Sequence, residues 1–233
     1  MNENHHSEEE AFTLDPPGTI VVVGAGILGI EAALYGRFLG YDVQILEMGQ
    51  IGSNLSRRSS EVLPAMPTRL LSSLSESALQ AQSGEVISTT PPNNLGGWVE
   101  QVLKPLSEVD LLRERVHLES RVTAIRQMPV EADAEEEIPA DFELIIQKSS
   151  RSSQQLTAEN QTVTAEAVIL AVGNHGSNIQ LGFTRPTPYF FSIGESATDD
   201  WENDLRTGLQ EIKRVYAELG GRATLDLYRP RRL

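Results

Sequence analysis

The sequence predicts an α/β protein built around a parallel β-sheet, with a small antiparallel β-meander attached. Three observations predict it. Thr19–Val23 is an unbroken β-branched run followed at once by glycine, the pattern of a strand buried on both faces of a parallel sheet. Gly24, Gly26 and Gly29 then open an apolar helical pattern (Ile27, Leu28, Ile30, Ala33, Leu34, Phe38) that closes at Gly40 and passes into a second apolar strand, Val43–Glu47. From Val116 the apolar period shortens to two, through Leu118, Val122 and Ala124 and then Phe142, Leu144 and Ile146, as antiparallel strands require.

The remaining elements follow in chain order. Residues 48–95 are rich in Gly, Ser, Asn and Pro and predict a loop with one or two short helices, broken at Pro91–Asn94. Trp98–Leu112 carries helical apolar spacing, with Pro105 as a kink or boundary. The meander spans about 122–164, its tips in the acidic stretch 131–143 and in Ser149–Ser153. Glu166–Val172 and Tyr189–Ile193 are further apolar strands, each followed by glycine. Leu205–Leu219 is an amphipathic helix closed by Gly220 and Gly221, and the acids at 199, 200 and 202 before it suit a helix start.

A chain of 233 residues can bury a sizeable core as one domain. Residues 1–17, acidic and ending in Pro16–Pro17, are expected to be a disordered lead-in, and 18–233 a single domain. There is no cysteine, which excludes disulfides, thiolate metal sites and thiol catalysis on this chain. Net charge is -14, concentrated in residues 1–15 and 131–143. Such a balance repels phosphate backbones, so no nucleic-acid partner is expected, and the terminal arginines 229, 231 and 232 read as solvated. His5 and His6 lack a third ligand nearby, so no metal is expected. The acidic start lacks a secretory n-region, and the Thr19–Leu34 run is too short and glycine-studded to span a bilayer. A soluble cytoplasmic protein without a membrane partner is expected.

The chemistry concentrates in Gly24-x-Gly26-x-x-Gly29. The motif follows a buried strand, opens a helix, and is followed by Glu47 at the next strand end, the full context of a Rossmann-like dinucleotide fingerprint. Gly24 permits the tight turn, Gly26 lets a pyrophosphate approach the backbone, and Gly29 lets helix and strand pack closely. The peptide groups of Ala25, Ile27 and Leu28 lie where the helix N-terminus offers free N–H donors. Glu47, with Met48 beside it, is expected to accept from ribose hydroxyls and to repel a 2′-phosphate, leaving FAD or NAD as candidates. Arg57 and Arg58 fall in the loop beyond, where a pyrophosphate contact and a solvated pair are both open.

Four segments also resemble a known group. VVVGAGILGIEAALYGRFLGYDVQILE (residues 21–47) resembles the FAD-binding unit of the flavoproteins with two dinucleotide-binding domains, in particular the flavin monooxygenase and thioredoxin-reductase-like branch. RVHLESRVTAI (115–125) resembles the strand beside the adenine, with Val122 at the contacting position. AEAVILAVGNHG (165–176) resembles the second motif, here Ala171-Val172-Gly173, and YFFSIGES (189–196) the last motif, here Gly194-Glu195. The resemblance implies an FAD-dependent oxidoreductase, with the Gly194-Glu195 region serving the ribityl side of the flavin. Glu195 stands where the group usually has aspartate. The group's nicotinamide domain usually lies between these two motifs; here only residues 174–188 do, too few for a βαβ unit of about thirty residues. Gly-Ile-Glu-Ala-Ala after the fingerprint is common in NAD domains as well, so NAD stays open as the alternative.

No catalytic side chain stands out. The fourth residue after each of the five tyrosines is never lysine, which argues against a short-chain dehydrogenase. His117 reads as a strand residue and His175 as a loop residue at a strand end. The expectation is an FAD-binding oxidoreductase-like protein of unknown substrate, whose electron donor is a substrate, free nicotinamide or a redox partner protein. A non-catalytic dinucleotide-binding module or partner subunit is the alternative, and an NAD-linked dehydrogenase comes third.

Overall fold

A computed structural model describes residues 13–83, 91–129, 139–152, 155–173, 178–196, 198 and 200–229. The N-terminal stretch 1–12, the acidic residues 131–137, His175, Asp199 and the arginines at 231 and 232 lie outside the described residues.

The first sheet holds β1 (Thr19–Val23), β2 (Asp42–Leu46), β3 (Val116–His117), β7 (Ala167–Leu170) and β9 (Phe190–Ser192), in the order β3-β2-β1-β7-β9. Every pairing is parallel. β1 and β7 are buried almost throughout, which explains their continuous apolar character. The chain steps outward from β1 to β2 and β3 on one side and to β7 and β9 on the other. The order therefore reverses between β1 and β7, and the carboxyl ends of these two strands flank the crevice where open α/β sheets take ligands.

α1 (Ile27–Leu39) crosses from β1 to β2. It ends as expected, with Gly40 in the left-handed region (φ +95°) and its N–H turned back to the carbonyls of Gly36 and Arg37. The Ser-rich segment after β2 forms α2 (Ser53–Ser56), a 3₁₀ turn over Pro67–Leu70 and α3 (Ser73–Ser83). The helix expected over 98–112 starts and ends earlier. α4 (Leu95–Trp98), a π-helical turn (Val99–Leu103) and α5 (Lys104–Ser107) run on from one another. Asn94, read as part of a break, caps the start by accepting the Gly97 N–H at 2.8 Å. The wide turn, in which Lys104 N–H reaches Val99 O, directly precedes Pro105. In a regular helix that ring would press on the carbonyl four residues earlier.

The meander is β4 (Ser120–Gln127), β5 (Phe142–Ser152) and β6 (Gln155–Ala165), antiparallel and slightly longer than expected. β5 runs on through Ser149–Ser152, and Ser152 pairs with Gln155 at the start of β6, so the chain reverses only at the far end of the serine segment. A two-residue strand, β8 (Gln180–Leu181), pairs parallel with β4. Phe183 meets Phe142 and Phe190 edge to face, Phe142 and Phe190 meet at a tilt, and the three rings, 4.9–5.9 Å apart at their centroids, tie the two sheets together. One continuous apolar cluster contains Val21–Val23, Ile45, Ile125, Leu144 and Ile169.

α6 (Trp201–Leu219) begins four residues earlier than the apolar period suggests, because Asp200 caps it by accepting Asn203 N–H. It packs on α1, and Tyr216 donates its hydroxyl to Ala32 O at 2.8 Å. Also from α1, the fully buried Glu31 carboxyl accepts from Ser72 N–H, Ser72 Oγ and Ser75 Oγ, which pins the start of α3.

Candidate functional site

The three fingerprint glycines sit in three different environments. Gly24 has φ +106°, and a Cβ there would lie 2.7 Å from the Ala171 carbonyl oxygen, so neither the conformation nor the space admits a side chain. A Cβ on Gly29 would run into the carbonyl of Gly24, the close approach of helix to strand that the motif predicts. Gly26 is the opposite case: its φ of -76° suits any residue, and a Cβ would find nothing within 4 Å. The open space lies where α1 begins. That helix has no side-chain cap and no acid in its first turn, so no side chain of its own takes up the N–H groups of Ile27, Leu28 and Gly29 or offsets the dipole's positive end.

Glu47 reaches this turn. Its carboxylate accepts Ala25 N–H at 2.7 Å and Gly49 N–H at 2.8 Å, and the residue is 9% exposed. An ionised carboxylate offers about four acceptor positions, so two are left beyond these bonds. The sequence expectation for Glu47 was a ribose acceptor; it did not include a clamp on the glycine turn. Gly52 completes the clamp by donating to Ala25 O at 3.1 Å, so the Ala25 peptide is held from both sides. Met48, next to Glu47, is exposed, as is Arg57 at the end of α2, which no ion pair holds among the described residues.

The second strand end closes over the first. Ala171 and Val172 pack directly on Gly24, and Gly173 lies against the carbonyl of Gly194. Leu28 fills a notch formed by Gly194 and Gly208; a Cβ on Gly194 would sit 2.7 Å from Leu28 Cδ1. Fingerprint, second motif and last motif, dispersed over residues 24–194, thus converge at the switch point. Glu195 is exposed and paired with Arg185 at 3.2 Å, and Arg185 also lies over the Phe190 ring, 5.0 Å from its centroid. Gly194 N–H donates to Glu211 of α6 at 2.8 Å.

The adenosine-side expectations are placed less directly. Glu47 N–H donates to His117 O, and Ser120 N–H donates to Glu47 O, so the chain rounds the end of β2 immediately before Val122. The Val122 side chain is buried in the core, and any ligand contact there falls to its backbone. Burial, with the nearby Lys148 charge, lowers the His117 pKa and so favours its neutral form. Among the described residues, no group of three or more His, Cys, Asp or Glu is placed to hold a metal ion, and no helix is long and apolar enough to cross a membrane. Gly49, Gly52, Arg185, Gly208 and Glu211 were missed as site residues. Only the glycines next to Glu47 left any local trace.

Fold and site together define an α/β protein with a Rossmann-type parallel sheet and its glycine turn at the switch point. No family model matches the chain. Among solved structures, OTEMO in complex with FAD and NADP is similar, at 20% identity and a TM-score of 0.47, over 68% of this chain and 26% of its own. A polycyclic ketone monooxygenase from Thermothelomyces thermophila matches at 16% and 0.44, over 72% of this chain and 24% of its own. The bacillithiol disulfide reductase Bdr (YpdA) from Staphylococcus aureus matches at 12% and 0.46, over 69% and 38%. The chain spans between a quarter and two fifths of these proteins' length, and likeness at this level carries nothing about activity.

Proposed function

We propose that residues 18–233 act as one FAD-binding, oxidoreductase-like domain of the cytoplasm. The observation that carries this reading is the open space at Gly26, beside the uncapped start of α1 and next to a carboxylate with acceptor positions to spare. Those groups fit the adenosine diphosphate half of a dinucleotide: the α1 N–H groups for pyrophosphate, and Glu47 for ribose. The Ala171–Gly173 and Gly194–Glu195 turns lie at the adjoining strand ends, where the rest of FAD would extend. Bound there, the flavin supplies the electron-transfer chemistry, while the protein binds, orients and shields it. Redox work then needs no catalytic side chain, which suits a sequence in which none stands out.

A visible absorption spectrum of the purified protein, and of its supernatant after denaturation, tests the reading. Flavin bands that pass into the supernatant, or that form on adding FAD, support it. Binding of NAD alone, or of neither, overturns it. One observation favours a non-catalytic module instead: Glu195 is already engaged by Arg185. Bound flavin that NADH, NADPH and a substrate panel all fail to reduce would select that second reading.

A further inference from the structure

We propose that Glu211, on α6, is a positioning residue for the flavin half of the bound dinucleotide: by accepting Gly194 N–H it fixes the turn that carries Glu195. This rests on the flavin reading above and adds a residue to it. Gly194 holds φ +69°, a conformation whose peptide is free to turn unless something grips it. The grip is a 2.8 Å hydrogen bond to a carboxylate, the stronger kind of backbone hydrogen bond. The helix that supplies it is rigidly seated, with Ile212, Val215 and Tyr216 buried and Tyr216 bonded to α1. One turn earlier, Gly208 receives Leu28 of the fingerprint. A single stretch of α6 therefore sets the last motif against the first. From the other side, Arg185 holds the Glu195 carboxylate. Among the described residues Glu211 bonds to Gly194 and to neither Glu47 nor the first peptide groups of α1, so its influence should fall mainly on the flavin half of the ligand.

The test titrates FAD and, separately, ADP into the wild type, Glu211→Ala and Glu211→Gln, and follows Gly194 amide exchange in the ligand-free proteins. In Glu211→Ala, FAD should bind roughly tenfold more weakly with altered visible bands, while ADP affinity stays within about twofold. Its Gly194 amide should exchange faster. Glu211→Gln keeps an acceptor and should restore both. If Glu211→Ala does not fold, Glu211→Met, which keeps the bulk without the acceptor, takes its place. Unchanged FAD affinity, or equal weakening of FAD and ADP, overturns the role of Glu211 alone. A wild type that binds ADP but not FAD overturns the flavin reading, and this role with it.

Discussion

Gly26 and Gly29 stand three residues apart in one motif, yet alanine at the two positions should have opposite effects. At Gly26 the backbone angles (φ -76°, ψ -178°) suit alanine, and its methyl meets nothing within 4 Å. Gly→Ala at a compatible site gains about 0.4–1 kcal/mol through the unfolded chain. Losing glycine's advantage over alanine as an N-cap costs about 0.5–1 kcal/mol. The two offset, so Gly26→Ala should melt within about 3 °C of the wild type. The methyl nevertheless occupies the space proposed for the pyrophosphate. One lost hydrogen bond to a charged ligand group is worth about 1.5–3 kcal/mol, so the dinucleotide should bind roughly ten- to a hundredfold more weakly. At Gly29 the added methyl strikes the Gly24 carbonyl, which is backbone and cannot swing aside. Overpacking of that kind costs about 1–3 kcal/mol and should lower the melting temperature by about 3–10 °C. Thermal melts of both ligand-free variants, paired with FAD titrations, read the two effects separately. Wild-type affinity in Gly26→Ala would place the phosphates elsewhere, and a wild-type melt for Gly29→Ala would refute the packing argument.

Three further outcomes follow from named contacts. Glu47→Ala removes the acceptor for Ala25 and Gly49 N–H and should cost about 1.5–3 kcal/mol in urea unfolding while weakening the dinucleotide; unchanged affinity would sink its assignment. Gly208→Ala should destabilise by about 1 kcal/mol through Leu28, and Leu28→Ala in the same chain should relieve part of it; additive losses would show that the two do not touch. Burial raises the Glu31 carboxyl above its ordinary value of 4.5, against the lowering effect of the Ser72 and Ser75 hydrogen bonds. The folded state then holds this proton more tightly than the unfolded chain, so the group's contribution is full below the unfolded pKa and is lost as pH rises through the folded one. Urea midpoints should fall with pH above about 4.5 relative to Glu31→Gln, and parallel curves would contradict this.

The elements legible in the sequence are those whose cause is local. β1, α1 and β2 are written in a β-branched run, a helical period and a terminal glycine within thirty residues. β8 was not legible, because two residues carry no period and their partner strand lies more than fifty positions away. The early start of α4 depended on recognising Asn94 as a cap within a turn-rich stretch. In the site, the tight turn at Gly24 and the close packing at Gly29 were readable from spacing. Glu47 was readable as an acceptor but not as a clamp, since its bond to Ala25 spans 22 positions. Arg185, Gly208 and Glu211 look like any loop arginine, helix glycine and helix acid until the fold brings them to the strand ends.

The central position of β1 has a consequence for how the protein is made. One neighbour, β2, follows directly after α1, but the other, β7, starts only at Ala167. The bonds that lock this seam join Thr19 to Glu166 across 147 positions. At about 5–20 residues per second, the ribosome takes on the order of ten seconds to supply the missing neighbour. Throughout that interval the most hydrophobic strand of the nascent chain has one row of peptide groups unpaired, the condition under which strands recruit foreign partners. The strand that leads into the glycine turn is thus among the first parts translated and its sheet among the last completed, so the nascent protein is most vulnerable at its own centre.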